Sequence, residues 1–171
     1  LIPLRYPSIS SLTLYHLSYV PILLNQAKII LCNSRSTAND LNNFYKVPRH
    51  KLFPIKLGFN NKKYYPITKI RKKFFLIIGR HNPHKNLGRV IQAFALAKIN
   101  NYKLIFVGSF DKRYTPRLIK IIDALNLNHL CEWRGWIKDD EKLVLLNECQ
   151  ALIIASLWEG FGLPALEAMA C

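Results

Sequence analysis

Residues 151–171 read ALIIASLWEGFGLPALEAMAC, and this stretch decides the fold. The apolar run from Ala151 to Ala155 predicts a buried strand. A turn with two glycines comes next, and Pro164 stands where the first turn of a helix is expected, since proline has no N–H to leave unpaired there. A strand, a glycine turn and a helix N-terminus together form an anion site, because the free amides and the helix dipole both favour negative charge.

Two carboxylates flank this predicted anion site. Glu159 lies in the turn, and Glu167 lies about one helical turn into the helix. Beside a phosphate they would be repulsive unless they bound something else, and an ionised carboxylate can accept hydrogen bonds from both hydroxyls of a sugar diol. Phosphate and sugar hydroxyls at one site indicate a nucleotide-sugar. A plain strand–turn–helix of an open α/β sheet is the simpler alternative.

A second chemical motif comes after the apolar run from Phe74 to Ile78 and reads GRHNPHKN, residues 79–86. Arg80 and Lys85 lie between the end of this predicted strand and the start of a predicted helix. Arginine can bind phosphate through two parallel donors, and lysine supplies a compact charge. The pair is expected to face a bound diphosphate. Two solvated surface cations are the alternative.

The pattern between residues 74 and 155 is a regular alternation of strands and helices. Apolar runs at 74–78, 102–107, 131–137 and 151–155 predict strands. Helices between them carry apolar residues at positions i, i+3, i+4 and i+7, as at Leu87, Val90, Ile91 and Phe94. Alternation of this kind predicts an α/β fold with a Rossmann-like, doubly wound parallel sheet. Ligands of such sheets bind at the carboxyl ends of the strands.

The first third of the chain is less regular. Residues 12–31 predict a buried or interfacial helix, because their polar residues are too many for a lipid-spanning one. Runs at 27–32 and 51–57 predict strands, and Ser34 or Ser36 is expected to cap a helix between them. The polar, basic stretch 60–73 is the best candidate for a domain boundary.

The composition favours anionic partners without choosing among them. The chain has 171 residues and a net charge of +15, and half of its residues are apolar or aromatic. Its four cysteines have no metal-ligand spacing, so we expect reduced, buried thiols and a cytoplasmic location. The acidic cluster at 139–141 is expected to cap a helix, so no metal and no cofactor are predicted.

The run WEGFGLPALEAMA, residues 158–170, resembles the donor-site signature of family 4 glycosyltransferases, also called glycosyltransferase group 1. These are retaining enzymes of the GT-B fold. Residues 32–41, 56–60 and 79–87 resemble further segments of the same family, so the resemblance covers nearly the whole chain. It implies an incomplete GT-B architecture, in which residues 1–65 end the acceptor domain and include the linker, and residues 66–171 form most of the donor domain.

The resemblance also implies roles for individual residues. Arg80 and Lys85 would hold the diphosphate, Glu159 the donor sugar and Glu167 the ribose. The expected catalytic residues are Glu159, Arg80 and Lys85. The predicted donor site comprises Gly79, Arg80, Lys85, Trp136, Ile137, Glu159, Gly160, Phe161, Gly162, Leu163 and Glu167. Trp136 and Ile137 would contact the base, although aromatic-rich strand ends are more often core.

The implied activity is transfer of a hexosyl group, with retention, from a nucleotide-diphospho-sugar to a saccharide or lipid-linked acceptor, as in polysaccharide biosynthesis. Peripheral contact with an anionic membrane is compatible with the basic charge, and no nucleic acid partner is implied. Residues 1–7 resemble the segment that comes after a catalytic histidine in relatives, so the chain is expected to be a fragment with little activity alone. The alternatives are a non-catalytic relic that keeps the fold, and a basic nucleic-acid-binding domain supported only by charge and aromatics.

Overall fold

The computed structural model describes residues 11–171, which form two compact units. The first unit contains the described residues up to Gly58 together with Trp158–Phe161. The second unit contains Phe59–Leu157 and Gly162–Cys171. The predicted boundary between an acceptor remnant and a donor domain, at residues 65 and 66, stays a prediction. The resemblance at residues 1–7 lies outside the described part of the chain.

The first unit is built on two short parallel strands. Its elements are α1 (Ser11–Gln26), β1 (Ile30–Cys32), α2 (Arg35–Tyr45) and β2 (Leu52–Pro54). Ile30 lies opposite Leu52 in the register of β1 and β2. The hydroxyl of Ser34 caps α2 by accepting the amide of Thr37 at 3.0 Å, which confirms one of the two predicted caps. Both strands are shorter than predicted, and the amide of Ala27 still bonds to the Leu23 carbonyl in a helical turn.

Helix α1 presents apolar side chains to solvent. Leu14 is 67% exposed, Leu17 62% and Tyr19 62%, so the buried alternative predicted for this stretch is wrong. Pro21 lies inside the helix. None of the helices within residues 11–171 has the length and apolarity needed to cross a lipid bilayer.

The second unit contains a four-stranded, entirely parallel sheet in the order β5-β4-β3-β6. Its elements are β3 (Phe74–Ile78), α3 (Leu87–Ala97), β4 (Lys103–Val107), α4 (Thr115–Ala124), β5 (Cys131–Arg134), α5 (Asp139–Glu148), β6 (Ala151–Leu152) and α6 (Leu163–Met169). The predicted Rossmann-like parallel sheet is confirmed. The last two strands are shorter than predicted, because β5 keeps four paired residues and β6 two.

The strand β6 is less buried than its apolar sequence predicts. Ala151 is exposed and Leu152 is half-buried. The prediction of a buried strand is wrong here because β6 pairs with β3 alone and stands at the end of the described sheet. A strand with one neighbour keeps more of its surface in contact with solvent than a central strand such as β3.

Helices pack on both faces of this sheet. Alternate residues of a strand point to opposite faces, and Ile77 accordingly packs in one apolar cluster while Leu76 packs in the other. The first cluster contains the predicted α3 residues Leu87, Val90, Ile91 and Phe94, together with Leu118 and Ile122 of α4. The second cluster contains Leu145 and Leu146 of α5. The structure is therefore doubly wound, as predicted.

Helix α5 begins differently from the prediction. Lys138 occupies the N-cap position and its side chain makes no capping hydrogen bond. Asp139 and Asp140, the predicted caps, lie within the first turn of the helix, and Asp139 forms an ion pair with Lys63 instead. The prediction of an aspartate cap is wrong because Asp139 pairs with a cation on another segment.

The polar segment 60–73 is fastened along α5. The side-chain amide of Asn147, which is fully buried, donates to the carbonyl of Tyr65 at 3.1 Å and accepts the amide of Ile67 at 2.8 Å. The other contacts along this helix join Lys63 to Asp139, Arg71 to the carbonyl oxygens of Leu146, Asn147 and Cys149, and Lys72 to Glu148. This segment is therefore held against α5 within the second unit.

Candidate active site

Two glycines stand at the carboxyl ends of the neighbouring strands β3 and β4. Gly79 has a φ of 144° and Gly108 a φ of 145°, values that residues other than glycine rarely adopt. A Cβ on Gly108 would lie 2.0 Å from the carbonyl oxygen of Gly79. A Cβ on Gly79 would lie 3.2 Å from Cε of Lys85. The two main chains thus approach closely, and the predicted diphosphate lysine lies over the backbone at the strand end.

Arg80 is directed by a buried acid, Asp111, that was not predicted from the sequence. One guanidinium nitrogen of Arg80 lies 3.7 Å from the carboxylate of Asp111, and the arginine side chain is 64% exposed against 6% for the aspartate. The amides of Arg113 and Tyr114 donate to the other carboxylate oxygen at 3.0 and 3.1 Å. These bonds, the Arg113 amide first, and the nearby guanidinium charges outweigh burial and lower the pKa of Asp111. A fixed carboxylate therefore holds an exposed cation.

His81 belongs to the same loop but is buried, at 3% exposure, and so is His84, at 6%. Neither histidine was given a role from the sequence. Nδ1 of His81 lies 3.1 Å from the hydroxyl of Thr115, and its ring centroid lies 5.0 Å from that of Trp133. Burial lowers the pKa of His81, and Asp111 offsets part of this effect. The neutral imidazole of His81 thus packs beneath the loop, against Thr115 and Trp133.

The loop after β3 is hydrogen-bonded to the segment after β6. The amide of Leu157 donates to the carbonyl of His84 at 2.8 Å, and the side-chain amide of Asn86 donates to the carbonyl of Ala155 at 3.2 Å. The two chemical motifs of the sequence are therefore neighbours where their segments leave the sheet. This agrees with the rule that the carboxyl ends of parallel strands share one edge.

The turn 158–161 lies in the first unit. A Cβ on Gly160 would lie 3.1 Å from the side-chain nitrogen of Asn33 and 3.6 Å from the indole of Trp158. The side-chain oxygen of Asn33 accepts a hydrogen bond of 2.6 Å from the hydroxyl of Thr37, which fixes the Asn33 side chain. Glu159 and Phe161 are half-buried. Their predicted contacts with the donor sugar stay predictions.

Glu167 lies on α6, which comes after Gly162 at a φ of 90° and has Pro164 in its first turn as predicted. The carboxylate of Glu167 forms an ion pair with the ammonium of Lys142 on α5. Both side chains are largely buried, at 13% and 17% exposure. Lys142 was not predicted from the sequence. The predicted roles of Glu167 with ribose and of the Gly162 and Leu163 amides with phosphate stay predictions.

The remaining predicted residues lie at the end of β5. Trp136 is 80% exposed, so the alternative that it belongs to the core is wrong. Ile137 packs against the second apolar cluster. Their contact with a base stays a prediction. Within residues 11–171 there is no group of three or more His, Cys, Asp or Glu side chains that could hold a metal ion.

Curated relatives of this chain are named as glycosyltransferases. The chain is 27% identical over 169 residues to the O-antigen chain mannosyltransferase RfbU of Salmonella typhimurium, covering 98% of this chain and 47% of that protein. It is 29% identical over 103 residues to the serotype-specific mannosyltransferase WbdA of Escherichia coli, covering 58% of this chain and 13% of WbdA. The chain thus spans half or less of the length of these relatives.

Solved structures share the fold. The sucrose-phosphate synthase of Thermosynechococcus elongatus matches with a TM-score of 0.79 at 23% identity, over 98% of this chain and 45% of that one. HepE of Anabaena, in a complex with UDP and glucose, matches with a TM-score of 0.80 at 20% identity, over 95% of this chain and 47% of that one. The fold of this chain is therefore that of part of a GT-B glycosyltransferase.

The family model described as glycosyl transferases group 1 matches residues 62–171. These residues contain the whole parallel sheet of the second unit, with both motifs that were singled out from the sequence. The nucleic-acid-binding alternative and the non-catalytic alternative are not favoured by this match. The chain belongs to the group 1 family of glycosyl transferases.

Proposed function

We propose that this chain binds the nucleotide-diphospho-sugar donor of a retaining glycosyltransferase through the carboxyl edge of its parallel sheet. One observation carries the proposal. Lys85 lies over Gly79 at the end of β3, beside Arg80, which the buried Asp111 directs into solvent. A diphosphate is the ligand that best matches two cations beside a main-chain turn at a strand end.

The proposed chemistry is the departure of a nucleoside diphosphate. The bond between the anomeric carbon and the diphosphate oxygen breaks, and its electron pair stays on the diphosphate. The oxygen of the acceptor hydroxyl bonds to the anomeric carbon, and the hydroxyl proton passes to the leaving diphosphate oxygen. Charge grows on the leaving group in this step. Arg80, Lys85 and the amides of Gly162 and Leu163 would stabilise that charge, because fixed donors and cations act most strongly where charge develops. Glu159 would hold the sugar and Glu167 the ribose.

We propose a mannosyl group as the transferred hexosyl group. The support is the names of relatives: RfbU, WbdA and the MMP alpha-(1->4)-mannosyltransferase of Mycolicibacterium hassiacum are all mannosyltransferases. The proposed acceptor is a saccharide or a lipid-linked saccharide, in line with the diphospho-undecaprenol acceptor named for a Campylobacter jejuni relative that is 28% identical over 156 residues. No metal is proposed, since Arg80 and Lys85 supply the positive charge.

The proposed location is the cytoplasm, with peripheral contact at an anionic membrane face. The free cysteines at 32, 131, 149 and 171 support a reducing compartment. The net charge of +15 supports attraction to an anionic surface. Fractionation of cells and vesicle sedimentation at two salt concentrations test this part of the proposal, and binding to neutral and anionic vesicles alike contradicts it.

The diphosphate site is tested by measuring the affinity of UDP, GDP and ADP for the whole chain by ligand-observed NMR, which detects weak binding. The Lys85→Ala variant is expected to bind the preferred diphosphate about tenfold more weakly, because a charge-assisted contact of about 1.4 kcal/mol is lost. Transfer from UDP-, GDP- and ADP-sugars by the full-length enzyme then identifies the nucleotide and the hexose.

Lys103→Ala is the matched control. Lys103 is an exposed lysine of the same sheet, but it begins β4 and so lies at the amino edge, away from the proposed site. The control is expected to bind like the original chain. An unchanged affinity in Lys85→Ala, or an equal loss in both variants, would leave only unspecific attraction to the basic surface and would remove the proposal.

A further inference from the structure

We propose that Lys142 is a positioning residue that holds the Glu167 carboxylate in place for the hydroxyls of a nucleotide's ribose. The inference rests on the proposed function, since it assigns Glu167 to the ribose. It adds a residue from another helix, α5, to the donor site. It also explains why a lysine and a glutamate are removed together from water at this place.

The ion pair is too buried to be a surface contact. The ammonium of Lys142 meets Oε2 of Glu167, and the two side chains are 17% and 13% exposed. Burying both charges costs desolvation that their attraction only partly offsets, so such a pair is weak evidence for stability and better evidence for a fixed geometry. Because it is held at one oxygen, the carboxylate keeps one orientation, and its second oxygen still has lone pairs that can accept hydrogen bonds.

The lysine is itself held by a third residue. Tyr64 is buried at 6% exposure, and the centroid of its ring lies 5.1 Å from the Lys142 ammonium. Burial alone would lower the pKa of Lys142, but the bonds to Glu167 and Tyr64 outweigh it and raise the pKa. The ammonium therefore stays charged at neutral pH between a carboxylate on one side and an aromatic ring on the other.

The segment that carries Tyr64 is anchored on the same helix. Lys63 pairs with Asp139, one turn before Lys142 on α5, and Asn147 binds the backbone of residues 65 and 67 further along. Lys142 thus has little freedom to move away from Glu167. A purely structural bridge between α5 and α6 is the competing explanation, and it predicts the same loss of stability but no effect on ribose recognition.

Ribose recognition separates the two explanations. The affinities of UDP, GDP and ADP for the whole chain are compared with those of their 2′,3′-dideoxy analogues, for the original chain and for Lys142→Met. We expect Lys142→Met to bind the preferred diphosphate about tenfold more weakly, the loss of one charge-assisted contact. Binding of the dideoxy analogue should change by less than about twofold, because that ligand has no hydroxyls for Glu167 to accept.

Two further variants complete the test. Lys142→Arg keeps the cation and should restore the preference for the intact ribose. Lys72→Met removes a more exposed ion pair of the same helix, since the Lys72 ammonium lies 2.7 Å from the Glu148 carboxylate, but it leaves the Lys142–Glu167 pair in place and should leave the preference unchanged. If Lys142→Met does not fold, Glu167→Gln and the double variant Lys142→Met/Glu167→Gln replace it. The preference for the intact ribose over the dideoxy analogue should then be no smaller in the double variant than in Glu167→Gln alone.

The outcomes are distinct. If the original chain binds none of the three diphosphates, the proposed function fails and this inference fails with it. A second outcome is that the original chain prefers the intact ribose while Lys142→Met keeps that preference or lowers the affinity for both ligands equally. In that case the proposed function stands and the positioning role of Lys142 is overturned. A loss confined to the ribose-bearing ligand, rescued by arginine, establishes the role.

Discussion

Two ion pairs of the second unit differ in which of their side chains is exposed to solvent. In the pair Arg80–Asp111 the acid is 6% exposed and the cation 64% exposed. In the pair Lys142–Glu167 both groups are largely buried, and the cation is held in turn by Tyr64. The first arrangement fixes an acid so that a cation can reach solvent. The second fixes a cation so that an acid keeps one orientation.

In the proposed site, the exposed Arg80 and the buried Glu167 would be the ligand-binding members of their pairs, and each would be held by its partner. A guanidinium in solvent retains most of its five donors for an incoming phosphate. A buried carboxylate held by an ammonium is limited to one geometry, which suits a diol with fixed hydroxyls. Variants that break one side of the comparison and leave the other intact can therefore test it.

The largest effect is expected from Gly108→Ala. The added Cβ would lie 2.0 Å from the Gly79 carbonyl, and φ at this position is 145°. Because backbone must move, we expect the free energy of unfolding to fall by about 3 kcal/mol in urea titrations. Gly88→Ala is the control, since Gly88 lies in α3 and a Cβ there would meet the side chain of Ile121, in α4, at an ordinary distance of 3.5 Å. An equal effect in both variants would contradict the close approach of the two strand ends.

The next effect separates the two pairs directly. Lys142→Met leaves the Glu167 carboxylate buried without its cation, and we expect a loss of about 2 kcal/mol in the free energy of unfolding. Arg80→Met removes an exposed cation and should cost less than about 0.5 kcal/mol. Chemical denaturation of both variants checks the ordering. Equal losses would mean that burial does not distinguish the pairs.

A smaller effect is expected from Asp111→Asn. The carboxamide oxygen can still accept the amides of Arg113 and Tyr114, so we expect a loss of about 1 kcal/mol. The pKa of Asp111 is lowered in the folded state, so its contribution to stability is present above its usual value of 3.8 and is lost as the pH falls through the folded value. Acid unfolding should therefore be less steep in the variant. Identical acid profiles would sink this interpretation of the pair.

The smallest effect concerns His81 behind the loop of Arg80. Its pKa is lowered from 6.5 by burial, so the unfolded chain takes up a proton first, and stability should fall as the pH drops below 6.5 until the folded value is reached. His81→Gln should flatten that part of the stability profile by less than about 1 kcal/mol. Denaturation at a series of pH values from neutral to mildly acidic measures it, and a profile unchanged by the substitution would count against a neutral buried imidazole.

The sequence predicts best where one element repeats a simple period. The strand at 74–78 and the apolar face of α3 were predicted to the residue, because a buried parallel strand is a continuous apolar run and a helix face repeats every 3.6 residues. The order of elements then indicated the sheet. Gly79, Arg80 and Lys85 were singled out because they lie in the loop after a strand end, which is where an α/β sheet binds ligands, and their role stays a prediction.

Partners brought together only by packing could not be predicted. Lys142 and Glu167 lie on different helices, and no spacing links them. Asp139 was expected to cap its own helix, but it pairs with a lysine on a distant segment instead. Asp111 is the exception: it precedes Thr115 and Pro116 after a strand, which is a helix-start signal that could have identified it.

The contact of Asn147 with the segment 60–73 has a further consequence. Its amide binds a carbonyl and an N–H two positions apart, much as a neighbouring strand would, so a side chain acts as a template for main chain. Lys63 and Arg71 meet the same helix on either side of this point. The spacing between Lys63 and Ile67 is therefore set by these contacts, and inserting or deleting a single residue between them would move one of the two contacts out of register.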